Sequence, residues 1–354
     1  MQRLQELMGE AGVGAILLSV GPDLPYFTGY EAMPTERLTM LVLPVVGEPI
    51  LFIPQLEAPR VAVREFEMVP WGETDDPVAL VAKAVSVSDR VLIGDHTWSA
   101  FLLGLQRELP DASWGLASTL TKELRMRKEA AEIEALRAAA HGVDRALARI
   151  PSELEFAGRT EADVSRDLQR MTVEEGHEVA AFAIVASGPN GASPHHVPGN
   201  RVIEPGDMVI CDFGGRHDGY FSDVTRTFVV GAPGEEQVEI HSVVAAANAA
   251  GHAAVGPGVP CQEIDRAARS VIDDAGYGEF FIHRTGHGIG LETHEHPYMV
   301  EGNDRPLEPG MTFSIEPGIY VPGRLGVRIE DIAACTESGI DDLNQADRAL
   351  LPVA

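Results

Sequence analysis

The first 120 residues alternate short apolar runs with amphipathic segments. The apolar runs AILLSV, TMLVLPV, PILFIP and RVLIG are short and almost free of polar side chains. Runs of this kind are typical of buried strands. The segments QRLQELMGEAG and DDPVALVAKAV instead carry apolar residues at helical spacing. This alternation predicts a small α/β domain with several buried strands.

A charged segment, TKELRMRKEAAEIEALRAAAHGVDRAL, follows this pattern and begins at Thr121. Its apolar and charged positions predict a long amphipathic helix that opens a second domain. The boundary therefore lies between Thr121 and Lys128, and we predict domains at residues 1–124 and 125–354. A chain of 354 residues is long enough for both.

Two aspartates of the second domain flank the turn-rich segment GGRHDG. Asp212 lies in the apolar run MVICDF, and Asp223 lies in YFSDVTRTFVV. A hairpin centred between His217 and Asp218 places the two aspartates opposite each other, with Cβ atoms roughly 5 Å apart. Two carboxylates this close repel each other unless a positive charge lies between them. Taken alone, the pair fits either a divalent-cation site or two solvated side chains near a hairpin tip.

Three further candidate metal ligands follow downstream. His287 lies in HRTGHGIGLETHEHP, Glu316 follows the apolar run TFSI, and Glu330 lies in GVRIEDI. A glutamate at the end of an apolar strand is costly to bury without a partner. Together with the two aspartates, these residues form an oxygen-rich set. Such a set suits Mn²⁺, Co²⁺ or Zn²⁺ in a two-metal site better than a tetrahedral structural zinc.

An internal repeat supports a shared site. Residues 204–212 align without gaps on residues 308–316, and both segments read EPG, an apolar strand and a carboxylate. Each copy is followed by a second strand with another carboxylate, and each is preceded by an alanine-rich helical stretch. The repeat predicts two similar halves that each give two carboxylates to one central site.

These motifs resemble the pita-bread metallopeptidases, within them the Xaa-Pro peptidase branch of aminopeptidase P and prolidase. The resemblance rests on GYFSDVTRTF, HRTGHGIGLETHEHP, SIEPGIY and VRIED, and it covers residues 125–354 in motifs and the first third only in pattern. It implies an α/β N-terminal domain plus an α+β pita-bread (creatinase/aminopeptidase-like) catalytic domain with internal two-fold duplication. It also implies two divalent metal ions per chain, Mn²⁺ first and Co²⁺ or Zn²⁺ as alternatives. The implied ligands are Asp212, Asp223, His287, Glu316 and Glu330.

The resemblance also implies roles for other residues. His195, in SPHHVP, and His294 are expected to contact the substrate and to stabilise the developing oxyanion as catalytic residues. His283 is expected either to position the substrate or to support the residues that contact the metals. Arg328 lies two residues before Glu330 and is expected to orient that ligand and balance charge as part of the catalytic set.

The expected mechanism assigns proton transfer to Glu316. This residue is expected to accept the proton of the attacking water and to pass it to the leaving nitrogen. Glu330 and Asp212 are expected to bridge the two metals. In an Xaa-Pro bond the leaving group is a tertiary amide nitrogen without an N–H.

The choice between aminopeptidase and dipeptidase depends on Tyr298. In prolidases an arginine directly after the HExP motif helps to bind the free carboxylate of the substrate. Here Tyr298 occupies that position. We therefore predict a short-form aminopeptidase P that cleaves Xaa-Pro-Yaa peptides, with Tyr298 among the substrate-binding residues. Xaa-Pro dipeptidase (prolidase) is the alternative, because another arginine, such as Arg37 or Arg324, could supply the contact.

Two other interpretations have less support. A metal-free creatinase-like enzyme or binding protein of the same fold would have lost metal carboxylates, whereas this chain keeps all five ligands. Methionine aminopeptidase shares the site but generally lacks an N-terminal domain of this size.

Composition excludes several classes of partner. The 54 acidic and 27 basic residues leave a formal charge of −27, which disfavours nucleic acid and anionic membranes. No basic start precedes a long apolar run, and three scattered cysteines predict a reducing compartment. We expect a cytoplasmic homodimer that acts on short proline-containing peptides.

Overall fold

A computed structural model describes residues 1–62, 66–85 and 90–354. Contacts between residues divide the chain into two units, Met1–Arg125 and Met126–Ala354. The division into domains at residues 1–124 and 125–354 stays a prediction. Among the described residues, no helix is both long enough and apolar enough to cross a membrane.

The first unit is a six-stranded mixed sheet with helices. The sheet has the order β4-β3-β2-β1-β5-β6, in which β1 pairs antiparallel with β2 and parallel with β5. The apolar runs of the sequence form β1, β2, β3 and β5, so the α/β prediction is confirmed. The elements are α1 (Gln2–Ala11), β1 (Ala15–Leu18), α2 (Asp23–Thr28), β2 (Met40–Pro44), β3 (Ile50–Pro54), a 3₁₀ helix (Ala58–Arg60), β4 (Glu67–Trp71), α3 (Pro77–Ala84), β5 (Arg90–Ile93), α4 (Ser99–Glu108), β6 (Ser113–Leu116) and α5 (Ser118–Arg125).

The second unit contains two larger sheets and a separate hairpin. Its sheets have the orders β18-β10-β8-β7, with β9 paired to β8, and β12-β11-β13-β16-β17, and the hairpin is β14-β15. The elements are α6 (Ala130–Glu153), α7 (Glu161–Glu174), β7 (Val179–Ser187), a 3₁₀ helix (Gly188–Ala192), β8 (Met208–His217), β9 (Tyr220–Phe221), β10 (Val224–Val230), α8 (Glu235–Ala254), α9 (Cys261–Asp274), a 3₁₀ helix (Gly278–Phe280), β11 (Gly286–Gly288), β12 (Glu295–Met299), β13 (Thr312–Ile315), β14 (Gly318–Val321), β15 (Leu325–Arg328), β16 (Asp331–Thr336), β17 (Gly339–Asp342) and β18 (Leu351–Val353).

The two halves of this unit repeat one arrangement. Two helices, α6 and α7, precede three antiparallel strands, β7, β8 and β10, and the same order recurs in α8, α9, β11, β13 and β16. An isolated antiparallel bridge between Thr225 and Glu330 joins the two sheets. The predicted duplication is therefore confirmed, and the sheets meet where the predicted ligands lie.

The charged segment after Thr121 forms two helices rather than one. Helix α5 ends at Arg125, and α6 begins at Ala130 after a break. Within the break the Lys128 N–H donates to the Gly310 carbonyl, so this residue is drawn into strand-like pairing. Glu129 then caps α6 together with Glu132, since each side chain accepts from the other residue's backbone N–H.

The hairpin that carries the two aspartates has a different register from the one predicted. Thr225, not Asp223, lies opposite Asp212, and His217 lies opposite Tyr220. The turn residues are Asp218 and Gly219, with φ of 53° and 82°. Both values are positive, as a type I′ turn requires, and Asp-Gly is a favoured pair for it. The turn of the hairpin lies one position further along the chain than predicted, so the cross-strand pairing shifts by two residues. A shift of two residues leaves both aspartates on the predicted face of the sheet.

Candidate metal centre

The five predicted ligands occupy equivalent places in the two halves. Asp212 lies on β8 and Glu316 directly follows β13, the corresponding strand of the second half. Asp223 directly precedes β10, and Glu330 directly precedes β16. His287 is the central residue of β11. The duplicated fold therefore brings two carboxylates from each half to the junction of the sheets.

Their side chains converge into groups of metal-binding size. His287, Glu316 and Glu330 form one group, and Asp212, Asp223 and Glu330 form a second; within each, ligand atoms lie within 4.8 Å of one another. Around His287 Nε2, oxygens of Glu316, Asp223 and Glu330 lie at 3.3, 3.7 and 3.9 Å. Ligands about 2.1 Å from a metal are separated by roughly 3–3.4 Å. The side chains are thus slightly wider apart than in a closed coordination sphere.

Several oxygens in this centre lack hydrogen-bond partners. Oδ1 of Asp212, Oδ1 of Asp223 and Oε1 of Glu330 are buried, and none of them accepts a hydrogen bond from a described residue. A buried carboxylate oxygen without a donor is costly. These oxygens and the free Nε2 of His287 fit a divalent cation, which bonds to such atoms directly.

Burial and mutual repulsion shift the pKa values of these carboxyl groups. Burial and then the charges of Asp212 and Glu316 raise the pKa of Asp223 well above its ordinary range. Burial and then the charge of Asp223 do the same to the pKa of Glu330. Burial raises the pKa of Glu316 to about 7, although the charge of Arg328 opposes the shift. Without cations, the centre therefore holds protons that bound cations would displace.

The glycines around His287 allow its strand to approach its neighbours. A Cβ on Gly286 would overlap the Ser314 carbonyl oxygen, and one on Gly288 would overlap the backbone of His296. His287 Nδ1 lies 3.1 Å from the Gly288 carbonyl oxygen, so Nδ1 carries the proton and donates it there. Burial lowers the pKa of His287 to about 3. The imidazole is therefore neutral, with Nε2 free to bind a metal.

Arg328 bonds to Asp212 and not to Glu330, the partner expected from sequence. Its Nη2 donates to Asp212 Oδ2 at 2.6 Å, and its Nε donates to Thr225 Oγ1 at 3.1 Å. Glu330 is held by the Thr225 hydroxyl at 2.7 Å. Arg328 and Glu330 do not lie on one strand, because β15 ends at Arg328 and β16 begins only at Asp331. Arg328 still balances charge in the centre, since it is buried beside Asp212.

A cavity of about 580 Å³ opens onto the centre. Tyr298, predicted to bind substrate, is absent from the described residues of its wall. The other nine predicted site residues lie in that wall, namely His195, Asp212, Asp223, His283, His287, His294, Glu316, Arg328 and Glu330. The wall also contains five residues that the sequence did not single out, Phe182, Ile184, Pro194, Arg284 and Thr293.

His195 is carried by a loop that Glu161 anchors. Glu161, the first residue of α7, is fully buried. Its carboxylate accepts hydrogen bonds from the side chain of the neighbouring His196 at 2.8 Å and from the backbone of Ser187 at 2.8 Å. Asn190 Nδ2 and the Gly199 N–H also donate to it. The loop is therefore tied down on both sides of His195, whose own ring faces the cavity.

The ring nitrogens of His283 are both used inside the protein. Nδ1 lies 2.7 Å from the Arg284 carbonyl oxygen, and Nε2 lies 2.8 Å from the Tyr320 hydroxyl. Tyr320 in turn accepts a hydrogen bond from Arg328 at 2.8 Å. Burial lowers the pKa of His283 to about 3, so its ring is neutral. His283 is therefore placed to position its neighbours rather than to donate to a substrate.

His294 stands at the cavity mouth. Its ring centroid is 4.0 Å from that of His287, and its ring is exposed. Burial, followed by the charges of Arg284 and His195, lowers the pKa of His294. The ring can also form a metal-sized group with Asp223 and His287. A neutral imidazole here can donate an N–H to a substrate oxygen.

Arg284, Tyr320 and Glu161 are among the residues at the site that were missed in the sequence. Arg284 directly follows His283 inside the quoted motif, so its place in HRTGHGIG was a usable signal. Tyr320 ends SIEPGIY and lies on β14, in which all four residues are buried. Glu161 carried no such signal, because an acidic residue at the start of a helix is ordinary.

Comparisons with known proteins agree with this geometry. Residues 134–337 match the metallopeptidase family M24, and residues 1–127 match the creatinase/prolidase N-terminal domain. A probable dipeptidase PepE of Mycobacterium tuberculosis is 43% identical over 351 residues, covering 97% of this chain and 93% of the relative. An Xaa-Pro dipeptidase of Lactobacillus helveticus is 36% identical over 365 residues, covering 99% and 98%.

A solved structure, a recombinant prolidase from Thermococcus sibiricus, superposes with a TM-score of 0.94 at 37% identity and covers 99% of this chain and 98% of its own. These matches confirm the expected fold and enzyme class, and membership of a metallopeptidase family implies divalent metal ions. The chain belongs to the metallopeptidase family M24, with a creatinase/prolidase N-terminal domain before the catalytic one.

Proposed function

We propose that this protein is an Xaa-Pro dipeptidase with a dinuclear metal centre. The observation that carries the proposal lies at the junction of the two sheets of the second unit. The five candidate ligands converge there, and buried oxygens of three of them lack hydrogen-bond donors among the described residues. The named relatives at 36% and 37% identity are an Xaa-Pro dipeptidase and a prolidase. They favour the dipeptidase alternative over the aminopeptidase P that Tyr298 led us to predict.

The two groups of ligands define two adjacent positions. Glu330 belongs to both, and Asp223 also belongs to a third group with His287 and His294. Asp212 belongs to only one, and one of its oxygens is occupied by Arg328. Glu330 and Asp223 would therefore contribute to holding cations at both positions, in place of the expected pair Glu330 and Asp212. Four carboxylates and one imidazole suit Mn²⁺, with Co²⁺ and Zn²⁺ as alternatives.

The chain's own residues supply proton transfer and substrate contacts. Divalent ions, when bound, polarise the scissile carbonyl and make water more acidic. Glu316 accepts the proton of the attacking water and delivers it to the proline nitrogen as the C–N bond breaks. His195 and His294 donate hydrogen bonds to the oxygen that becomes negative. Phe182, Ile184 and Pro194 give the cavity an apolar wall against which a proline ring can pack.

The proposal is tested by metal dependence and by chain length. Protein treated with a strong chelator should lose hydrolysis of Ala-Pro, and Mn²⁺ should restore it. Restored enzyme should cleave Ala-Pro with a higher kcat/KM than Ala-Pro-Ala or Ala-Ala. Full activity without metal would refute the metal mechanism, while a preference for Ala-Pro-Ala would return the aminopeptidase interpretation. Homodimer assembly and a cytoplasmic location stay predictions from the sequence.

A further inference from the structure

The cavity wall contains two arginines with different surroundings. Arg328 is buried, and its donors are used by Asp212, Thr225 and Tyr320. Arg284 is only half-buried, and among the described residues its guanidinium has no hydrogen-bond or ion-pair partner. In a chain with twice as many acidic as basic residues, an arginine without a carboxylate partner in a substrate cavity requires an explanation.

Tyr298 holds this guanidinium in place. Arg284 Cζ lies 4.3 Å from the centroid of the Tyr298 ring. The strand pairing makes the contact rigid, because Tyr298 lies opposite His287 in the β11–β12 ladder and the Thr285 N–H donates to the Met299 carbonyl. An aromatic face attracts a guanidinium while its N–H groups, in the plane of the group, stay free. The residue that occupies the position after the HExP motif thus serves as a platform for an arginine from the neighbouring strand.

We propose that Arg284 binds the free carboxylate of the substrate's C-terminal residue and so makes the enzyme selective for dipeptides. This deepens the proposed function and rests on it. A planar guanidinium with open donors matches a carboxylate in a bidentate pair. Neither arginine named from sequence is among the described residues of the cavity wall, and each has a carboxylate partner, since Arg37 pairs with Glu73 and the exposed Arg324 pairs with Glu236.

The reach of the side chain fits this role. In a dipeptide the carboxylate lies one residue, at most about 3.6 Å, beyond the scissile carbonyl. Arg284 stands three residues before His287, roughly 10 Å along an extended chain, and lines the same cavity as the candidate ligands. Its positive charge already acts on the centre, since it adds to the lowering of the pKa of His294 by burial and opposes the rise that burial causes in the pKa of Glu316. A longer peptide presents an amide there and loses the charged pair.

The test compares Ala-Pro with Ala-Pro-amide, which differ only in the free carboxylate. We expect the metal-loaded wild type to favour Ala-Pro by roughly 10- to 100-fold in kcat/KM, as for a charge-assisted pair. Arg284→Met should bring this ratio close to 1, mainly through a higher KM for Ala-Pro. Arg284→Lys should keep part of the ratio. Arg324→Met is the matched control and should keep all of it.

The outcomes separate this proposal from the dipeptidase function itself. A wild type that cleaves both substrates equally would refute the dipeptidase function. A wild type that discriminates, with Arg284→Met discriminating as strongly, would overturn only the role of Arg284. An equal loss on both substrates in Arg284→Met and Arg284→Lys would overturn it too, because the residue would then support the centre. Metal content and thermal unfolding of each variant show whether the fold is intact.

Discussion

Two sets of buried carboxylates in the catalytic unit differ in what surrounds them. Glu161 lies beneath the His195 loop and accepts hydrogen bonds from Ser187, Asn190, His196 and Gly199. Burial raises the pKa of Glu161, but these bonds outweigh it and leave that pKa below the ordinary value. In the metal centre, burial is reinforced by neighbouring carboxylates, and the pKa values of Asp223 and Glu330 rise. The same chemical group thus serves as a structural anchor in one place and is a candidate metal ligand in the other.

The difference lies in the supply of donors. The loop around Glu161 turns backbone N–H groups and polar side chains toward the carboxylate, so its charge is solvated by protein. The two sheets of the second unit instead meet with carboxylates facing carboxylates, and three of these buried oxygens accept no hydrogen bond from the part of the chain that the structure describes. Buried carboxylate oxygens that lack hydrogen-bond donors can instead bind a cation, which makes this junction a candidate cation site.

The largest effect is expected from substitution of Glu316, one of the candidate metal ligands. Glu316→Gln removes both the proton acceptor and a metal ligand, so kcat for Ala-Pro should fall on the order of 10⁴-fold. Measured metal content should also fall. The exposed Glu178, which pairs with Arg216 on the surface, gives the matched control Glu178→Gln, which should keep wild-type kcat. A Glu316→Gln enzyme within tenfold of wild type would rule out its assigned role.

His195 and His294 test the oxyanion contacts. His195→Ala and His294→Ala should each reduce kcat by roughly 10²–10³-fold, as for the loss of a transition-state donor. Metal content should stay at the wild-type level in both variants. Near-normal kcat/KM in either variant would show that the residue does not stabilise the developing charge.

Glu161→Gln tests the carboxylate that anchors the His195 loop, and it should reduce kcat less than the histidine substitutions do. The amide places an N–H₂ group where donors already point, so the loop loosens and stability falls by about 1–3 kcal/mol. Because His195 is then held less well, kcat should fall by about tenfold with KM and metal content nearly unchanged. A large loss of metal, with kcat per bound metal unchanged, would mean that Glu161 supports the centre and not the loop.

The smallest expected effect concerns the stability of the metal-free protein, which Glu316 and Glu161 should make dependent on pH in opposite directions. The pKa of Glu316 is raised from 4.5 to about 7, so its contribution to stability is present below about pH 4.5 and is lost as pH rises through about 7. The pKa of Glu161 is lowered, so its contribution is present above the unfolded value of 4.5 and is lost as pH falls through the folded pKa.

Urea unfolding of the chelated proteins checks these signs. The stability of the wild type relative to Glu316→Gln should decrease from about pH 5 to pH 7.5, on the order of 2 kcal/mol. Relative to Glu161→Gln it should decrease from about pH 5 toward pH 3.5. If the relative stability changed with pH in the same direction for both comparisons, the proposed difference between Glu316 and Glu161 would be wrong.

The hairpin that carries Asp212 and Asp223 shows which features of the structure can be predicted from the local sequence pattern. Alternation placed Asp212 and Asp223 on one face, and this survived a register that was wrong by two residues, because side chains repeat every second position. The turn itself was misplaced, although Asp218-Gly219 is a strong local signal for a type I′ turn. Arg328 shows the opposite case, since its partner, Asp212, is 116 positions away along the chain.

The sequence by itself determined the α/β character of the first unit, the duplication of the second and the residue types of the candidate centre. Periodicity and repeated motifs are local, so they can be read along the chain. Only the tertiary structure decided which side chains meet: Arg328 with Asp212, Glu161 with the His195 loop, and Arg284 on the Tyr298 ring. Those contacts depend on how strands pair and loops return, and a hydrogen bond or a stacked ring requires positions fixed to within a few tenths of an ångström.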